Sequence, residues 1–414
     1  MAAHRRTASR LGSPRAVSTV VPFCCLLGSH VYTLHRFLAT PLHAPVPDLP
    51  FFGDSTANEA LLFSPPFLPP SPAPQPAYPN YTLPQANISL PSAPSQNSPN
   101  FTVFLAPLSA GLTALPQTAC AIRAGVTNNA QAAQSAKVVA EQPWLRDEHG
   151  WRREWLVGQL TALTNFSVYA IQDGTRLSGP IYFTTKSGAS FFSFFLFFSA
   201  ERVDPSASFS CPLVHALPYC PTTAYAVPLP APPAPALAYD ASNLPDNLTT
   251  PLISYLANFT TSLLTAACGR DAYSPLQTCA DCQAAYRRWL CTISLPRCGE
   301  FPQPPDPQQQ AQQQPQQTLA VPPPALAQQP SGTTPRNAAL GNVSYTALLP
   351  CIETCNAADR ACPIFLGFRC PLIKYTAGQS YGVGYIDSAD GEERDGGVPG
   401  VPQDRWGNVF CNIS

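Results

Sequence analysis

Cysteine spacing constrains this chain more than any other feature. The run Cys279-x2-Cys282-x8-Cys291-x6-Cys298 is followed by Cys351-x3-Cys355-x6-Cys362-x7-Cys370. Zinc is the rival to disulfides, because a C-x2-C pair has metal-ligand spacing. A structural zinc site would repeat that pair or add His, whereas here the second set is spaced differently and no His follows His215. The array, with Cys268 and Cys411, therefore reads as a disulfide framework, each bond of which contributes about 2–5 kcal/mol in a small domain. Cys211 and Cys220, each followed by Pro, are placed to staple one loop. Fifteen cysteines less Cys24 and Cys25 near the N-terminus leave thirteen, an odd number. At least one is then unpaired or pairs between chains, and Cys120 and Cys411 stand most isolated.

Disulfides need an oxidising compartment, and two further signals agree. N-x-[ST] sequons occur at Asn80, Asn87, Asn100, Asn165, Asn247, Asn258, Asn342 and Asn412. The first 47 residues hold five Arg, no Lys and no acid, with an apolar run from Ala16 to Gly28. Residues 1–40 thus read as a secretory signal peptide or signal anchor, in preference to a mitochondrial transit peptide. No later stretch has the 18 or so consecutive apolar residues of a membrane span. The run Phe191–Phe198 is too short and reads as a buried strand. A net charge of -1 offers no basic field for nucleic acid.

The expected fold class is α+β in two domains. Residues 41–98, rich in Pro and Ser, read as a glycosylated linker. From 99 to 238, alternation in Phe101–Leu105, Asn165–Ala170 and Ile181–Thr184, with turn signals between, indicates a β-sandwich-like domain. Residues 239–414 read as a helical, cysteine-rich domain. Leu252, Leu256, Phe259 and Leu263 share one helical face, with start signals at Asn247, Thr250 and Pro251 and a stop at Gly269. Cys279, Cys282, Tyr286 and Trp289 share another. The Gln/Pro tract at 301–340 reads as a disordered insertion.

Catalytic chemistry finds little support. His149 and His215 are the histidines of the folded part, and a Ser/His/Asp site around them has no further motif. The stretch Asp387–Glu393 lacks the residue order of a calcium loop and reads as solvated. Trp144, Trp151 and Trp155 read as packing residues. No cofactor or metal is expected.

Three blocks carry a family resemblance. They are Trp144–Leu160 with Asn165–Tyr169; Pro180–Gly188 with Cys211–Leu213, Leu217–Cys220 and Ala224–Pro228; and Cys279–Cys282 with Ala285–Cys291 and Pro296–Cys298. Together they resemble the fungal stretch-activated calcium-channel subunit of the high-affinity calcium-uptake system. The Phe-rich run at 189–198 departs from that pattern. The resemblance implies a Frizzled-like cysteine-rich domain and a role as extracellular auxiliary subunit of a large four-repeat, voltage-gated-type calcium channel. It also implies a place at the plasma membrane and endoplasmic reticulum, with Tyr286, Arg287, Arg288 and Trp289 as candidate partner contacts. The competing expectations are a cell-surface ligand- or lipid-binding module and a secreted hydrolase.

Overall fold

The computed structural model describes residues 49–69, 83, 98–128, 137–146, 150–188, 209–266, 268, 273–300, 326–329, 340, 345–372, 374–384, 403 and 406–413. The expectations for the N-terminal segment, the Phe191–Phe198 run, His149, Asp387–Glu393, Asn80, Asn87 and Asn342 lie outside these residues.

The fold is α+β and disulfide-rich, and it is built in layers. One antiparallel sheet has the order β1-β2-β5-β4, from Phe51–Ser55, Ala60–Phe63, Trp151–Gly158 and Lys137–Leu145. A second has the order β3-β6-β7, from Phe101–Pro107, Asn165–Gln172 and Arg176–Thr184. Period-two alternation sends Phe52, Leu62, Trp155 and Val157 of the first sheet and Phe101, Phe166, Val168 and Phe183 of the second into one shared core. The far side of the second sheet, through Tyr169 and Ile171, packs on helix α1 at Ala119–Asn128.

The far side of the first sheet is also buried, so β5 is buried on both faces. Leu61, Phe63, Trp144 and Leu156 on that side meet Leu213 and Ala226 of a two-stranded ribbon, β8 (Leu213–Val214) and β9 (Tyr225–Ala226). The alternate ribbon residues, Val214 and Tyr225, face helices α2 (Asp246–Leu264) and α3 (Cys279–Ser294). Leu213 and Val214, fully buried at about 1.5–3 kcal/mol each, already outweigh the few ladder hydrogen bonds that so short a ribbon can form. Burial from both sides, not strand pairing, holds it in place. Gly53 in β1 is needed at this contact, because a Cβ there would lie 2.7 Å from the carbonyl oxygen of Ala224.

The remaining elements are β10 (Arg297–Cys298), β11 (Leu326–Gln329), β12 (Tyr345–Leu348), α4 (Ile352–Ala361) and α5 (Ala377–Ser380). The three strands form a sheet in the order β10-β12-β11.

Several expectations are corrected. Residues 51–63 lie within the expected linker yet form β1 and β2, whose core-facing side chains are fully buried. Neither strand contains Pro, and the Phe-Phe and Leu-Leu-Phe content gives each a two-sided apolar surface. Within the tract expected to be disordered, Leu326–Gln329 pairs antiparallel with β12. This stretch lies between Pro324 and Pro330, where every residue keeps the N–H that a ladder requires. Helix α2 begins at Asp246, so Pro251 lies inside it and is not its first residue. Residue 238 is not a break in the packing, since the ribbon before it and the helices after it bury one core.

Candidate partner-docking site

Six disulfides organise the cysteine-rich part: Cys211–Cys298, Cys220–Cys291, Cys268–Cys279, Cys282–Cys362, Cys351–Cys411 and Cys355–Cys370. The local staple between Cys211 and Cys220 is not formed. The two cysteines sit at the two ends of the ribbon segment and pair with β10 and α3, 87 and 71 residues further on. The ribbon is sandwiched between the first sheet and the helices, so its flanking cysteines meet the layer beneath and not each other. Cys411 pairs with Cys351, and among the described residues Cys120 in α1 is the free thiol. Cys351, Glu353 and Cys411 converge within metal-binding reach, but the two sulfurs are bonded to each other and offer no thiolate.

Helix α3 presents the four residues singled out for docking. It starts sharply because Thr278 and Asp281 form a capping box: the Asp281 N–H donates to Thr278 Oγ1, and the Thr278 N–H donates to Asp281 Oδ2 at 2.8 Å. Cys279 and Cys282 are thereby placed on the buried face, where they meet Cys268 and Cys362. Tyr286 and Trp289 follow one and two turns on, and they turn inward. Tyr286 stacks on Phe259 of α2 with ring centroids 3.5 Å apart, and Trp289 sits 4.8 Å from Phe368, edge to face. The Trp289 indole N–H donates to the Tyr381 hydroxyl at 3.0 Å. Burial, and secondarily the neighbouring Tyr255, pushes the Tyr286 phenol above its usual range. This aromatic cluster binds α2, α3 and the 363–384 segment together. Arg287 and Arg288 on the same helix are half-buried.

The contact between the first sheet and the ribbon layer is polar as well as apolar. Asp54 of β1 accepts from Arg297 Nε at 2.8 Å and from the Ala226 N–H at 3.2 Å. Arg297 also donates to the Gly53 carbonyl and lies over the Tyr225 ring. His215 Nδ1 meets Glu154 at 2.5 Å, with both side chains buried. Arg146 donates to the Thr222 carbonyl and lies 4.5 Å over the Phe63 ring. Desolvation, with Arg146 beside it, pulls the Arg152 guanidinium down to about 10. Tyr225 donates to the Leu295 carbonyl at 2.9 Å, and burial raises its phenol above the ordinary value. Trp144, Trp151 and Trp155 are all buried, and the Trp144 indole N–H donates to the Pro221 carbonyl. Packing is the role that this geometry gives them.

Of the sequons within the described residues, Asn100, Asn165, Asn247 and Asn258 are exposed. Asn412 is fully buried, and its side-chain amide donates to the Thr292 carbonyl. That sequon is therefore closed to a glycan in the folded chain. Sequence reasoning placed Phe259 on the apolar face of its helix but missed Phe368 and Tyr381, which complete the enclosure of Tyr286 and Trp289. The available signal was the dense apolar run Ile364–Phe368 between two cysteines.

Residues 40–396 match the family described as "Mid1: Stretch-activated Ca2+-permeable channel component". The chain is 36% identical, over 93% of its length, to "Stretch-activated cation channel MID1" of Cryptococcus neoformans var. grubii, and covers 62% of that protein. It is 28% identical over half of its length to "Stretch-activated cation channel yam8" of Schizosaccharomyces pombe, covering 38% of it. Against "Stretch-activated cation channel MID1" of Saccharomyces cerevisiae the identity is 29% over 39% of this chain, and 26% of that protein is covered. The chain thus spans less than two thirds of each of these relatives. No solved structure matches.

Proposed function

This chain belongs to the family of stretch-activated Ca2+-permeable channel components, and from that premise we propose that it acts as an extracellular auxiliary subunit of a calcium channel. The pore in this reading belongs to a large four-repeat, voltage-gated-type partner. The observation that carries the proposal is the six-disulfide body with four exposed sequons on its surface. Disulfides at this density persist on the oxidising side of a membrane, where they resist reduction and where Asn is glycosylated. Such a body suits a part that docks on the outside of a channel. In this proposal it assembles in the endoplasmic reticulum and works at the plasma membrane.

The proposal extends to the likeness of the helical part to a Frizzled-type cysteine-rich domain. Its support is that α2, α3 and α4 are joined through Cys268–Cys279 and Cys282–Cys362, with Cys355–Cys370 tying down the segment that follows α4. Among the described residues no helix is long and apolar enough to cross a membrane.

The test is co-purification. A tagged full chain pulled from gently solubilised membranes should bring down a much larger channel polypeptide, and its deletion should abolish stimulated calcium uptake. A chain that comes down alone, from cells whose uptake survives the deletion, would refute the reading.

A further inference from the structure

The stretch after α4 exposes apolar side chains that internal packing does not use. Ile364 is 78% exposed, Phe365 57%, Leu372 65% and Tyr375 70%. A soluble surface scatters such residues singly, whereas a cluster marks a contact. Four such residues lie within twelve positions of one another in the sequence.

This stretch is held in place. Cys362 is bonded to Cys282 of α3, and Cys370 to Cys355 of α4, so residues 363–369 lie between two covalent anchors. Phe368 turns inward against Trp289 and Tyr286. A short 3-10 turn over Ile364–Leu366, closed by Gly367 at φ 68°, leaves Ile364 and Phe365 outward. The segment itself carries only basic charge, one of whose two groups, Arg369, is loosely ion-paired with Asp359 of α4. Arg369 and Lys374 are exposed, and no Asp or Glu occurs between 363 and 376, in a chain whose net charge is -1. The Arg369–Asp359 pair is loose and solvent-exposed, with N···O 3.8 Å, so it leaves the guanidinium open to further partners.

We infer that this disulfide-pinned tip is a membrane-docking loop that seats in the headgroup region of an anionic bilayer. Convex aliphatic and aromatic side chains need no shaped pocket when the receiving surface is fluid lipid. A Tyr at the margin suits the interface, with its ring toward the acyl boundary and its hydroxyl in water. Arg369 and Lys374 then lie at the depth of lipid phosphates. Because Ile364 and Phe365 lie between the two disulfides, their insertion orders little that was not ordered before. The inference stands apart from the pore partner, since it concerns lipid alone.

Vesicle flotation of the purified full chain is the test. Liposomes of phosphatidylcholine with phosphatidylserine should carry the protein, and phosphatidylcholine alone should carry it far less. R369Q/K374Q should weaken binding to the anionic vesicles by about five-fold per cation. I364S/F365S should weaken binding to them by about ten-fold or more. Unchanged thermal midpoints would confirm that these exposed substitutions leave the fold intact. F365W gives an independent reading, because its emission should shift to the blue when anionic vesicles are added. Wild-type protein that stays with the pellet, or variants that float as wild type does, would overturn the inference. So would tip variants that lose only a co-purifying channel polypeptide, an outcome that would make the tip a protein contact. The liposomes contain no channel, so failure here leaves the subunit proposal standing, and failed co-purification leaves this one standing.

Discussion

Asp54 and Arg297, 243 positions apart in sequence, form a buried ion pair that joins the first β-strand to the short strand after α3. Both groups lack solvent, and their remaining valences go to the Ala226 N–H and the Gly53 carbonyl. Removing one partner strands the other charge, which typically costs about 3–5 kcal/mol. D54N and R297M should each lower the thermal midpoint sharply and reduce secretion. The double substitution should recover part of the loss, and differential scanning calorimetry of the four proteins would measure the coupling.

The cysteine pairs make a connectivity prediction. Peptide mapping without reduction should recover Cys211–Cys298 and Cys220–Cys291 and should not recover a Cys211–Cys220 peptide. C291S and C220S should show matching losses of about 2–5 kcal/mol and matching retention before the cell surface. Unequal phenotypes within that pair would contradict the pairing.

Trp289 separates packing from docking. W289A opens a cavity among Tyr286, Phe368 and Tyr381 and should cost about 3 kcal/mol. W289F keeps most of the ring contact and loses the hydrogen bond, at about 1 kcal/mol. Chemical denaturation should rank the proteins wild type, W289F, W289A. A W289A protein of full stability that fails only to bind a partner would show that the indole is a docking residue.

Tyr225 sets an alkaline limit. Burial raises its phenol in the folded state, so the neutral form is the one the fold accepts. The stability it contributes is complete below the unfolded value of about 10 and is lost as pH rises through the raised folded value. Tyrosinate absorbance from this residue should appear together with unfolding, and Y225F should move the alkaline transition upward.

Glycan occupancy should follow exposure. Asn→Gln substitutions at Asn100, Asn165, Asn247 and Asn258 should each increase electrophoretic mobility, and N412Q should leave it unchanged.

Local patterns made part of this architecture legible. Alternation of apolar and polar residues marked β3, β6 and β7, and the four-three-four spacing of Leu252, Leu256, Phe259 and Leu263 marked α2, because those four positions fall on one side of the helix. The family resemblance, carried by cysteine and aromatic spacing, also stood in the sequence. The strands β1 and β2 were hidden because both of their faces are buried, which erases alternation, and because Pro-rich sequence surrounds them. The disulfide partners of Cys211 and Cys220 were hidden for a related reason. Proximity in sequence suggested a staple, and only the layering of the ribbon between sheet and helices brings residues 71 and 87 positions apart together. At the candidate site, the helical face of Tyr286 and Trp289 was correct, but what covers that face depended on Phe368 and Tyr381, beyond a long Gln/Pro tract.

The ribbon's two disulfides also define a load path. A pull that separates the ribbon from α3 and β10 meets sulfur–sulfur bonds at Cys211–Cys298 and Cys220–Cys291 before it can extend the chain between them. The intervening helix α2 is thereby excluded from the line of tension, and force entering at the ribbon reaches α3 and β10 through covalent bonds as well as through packing.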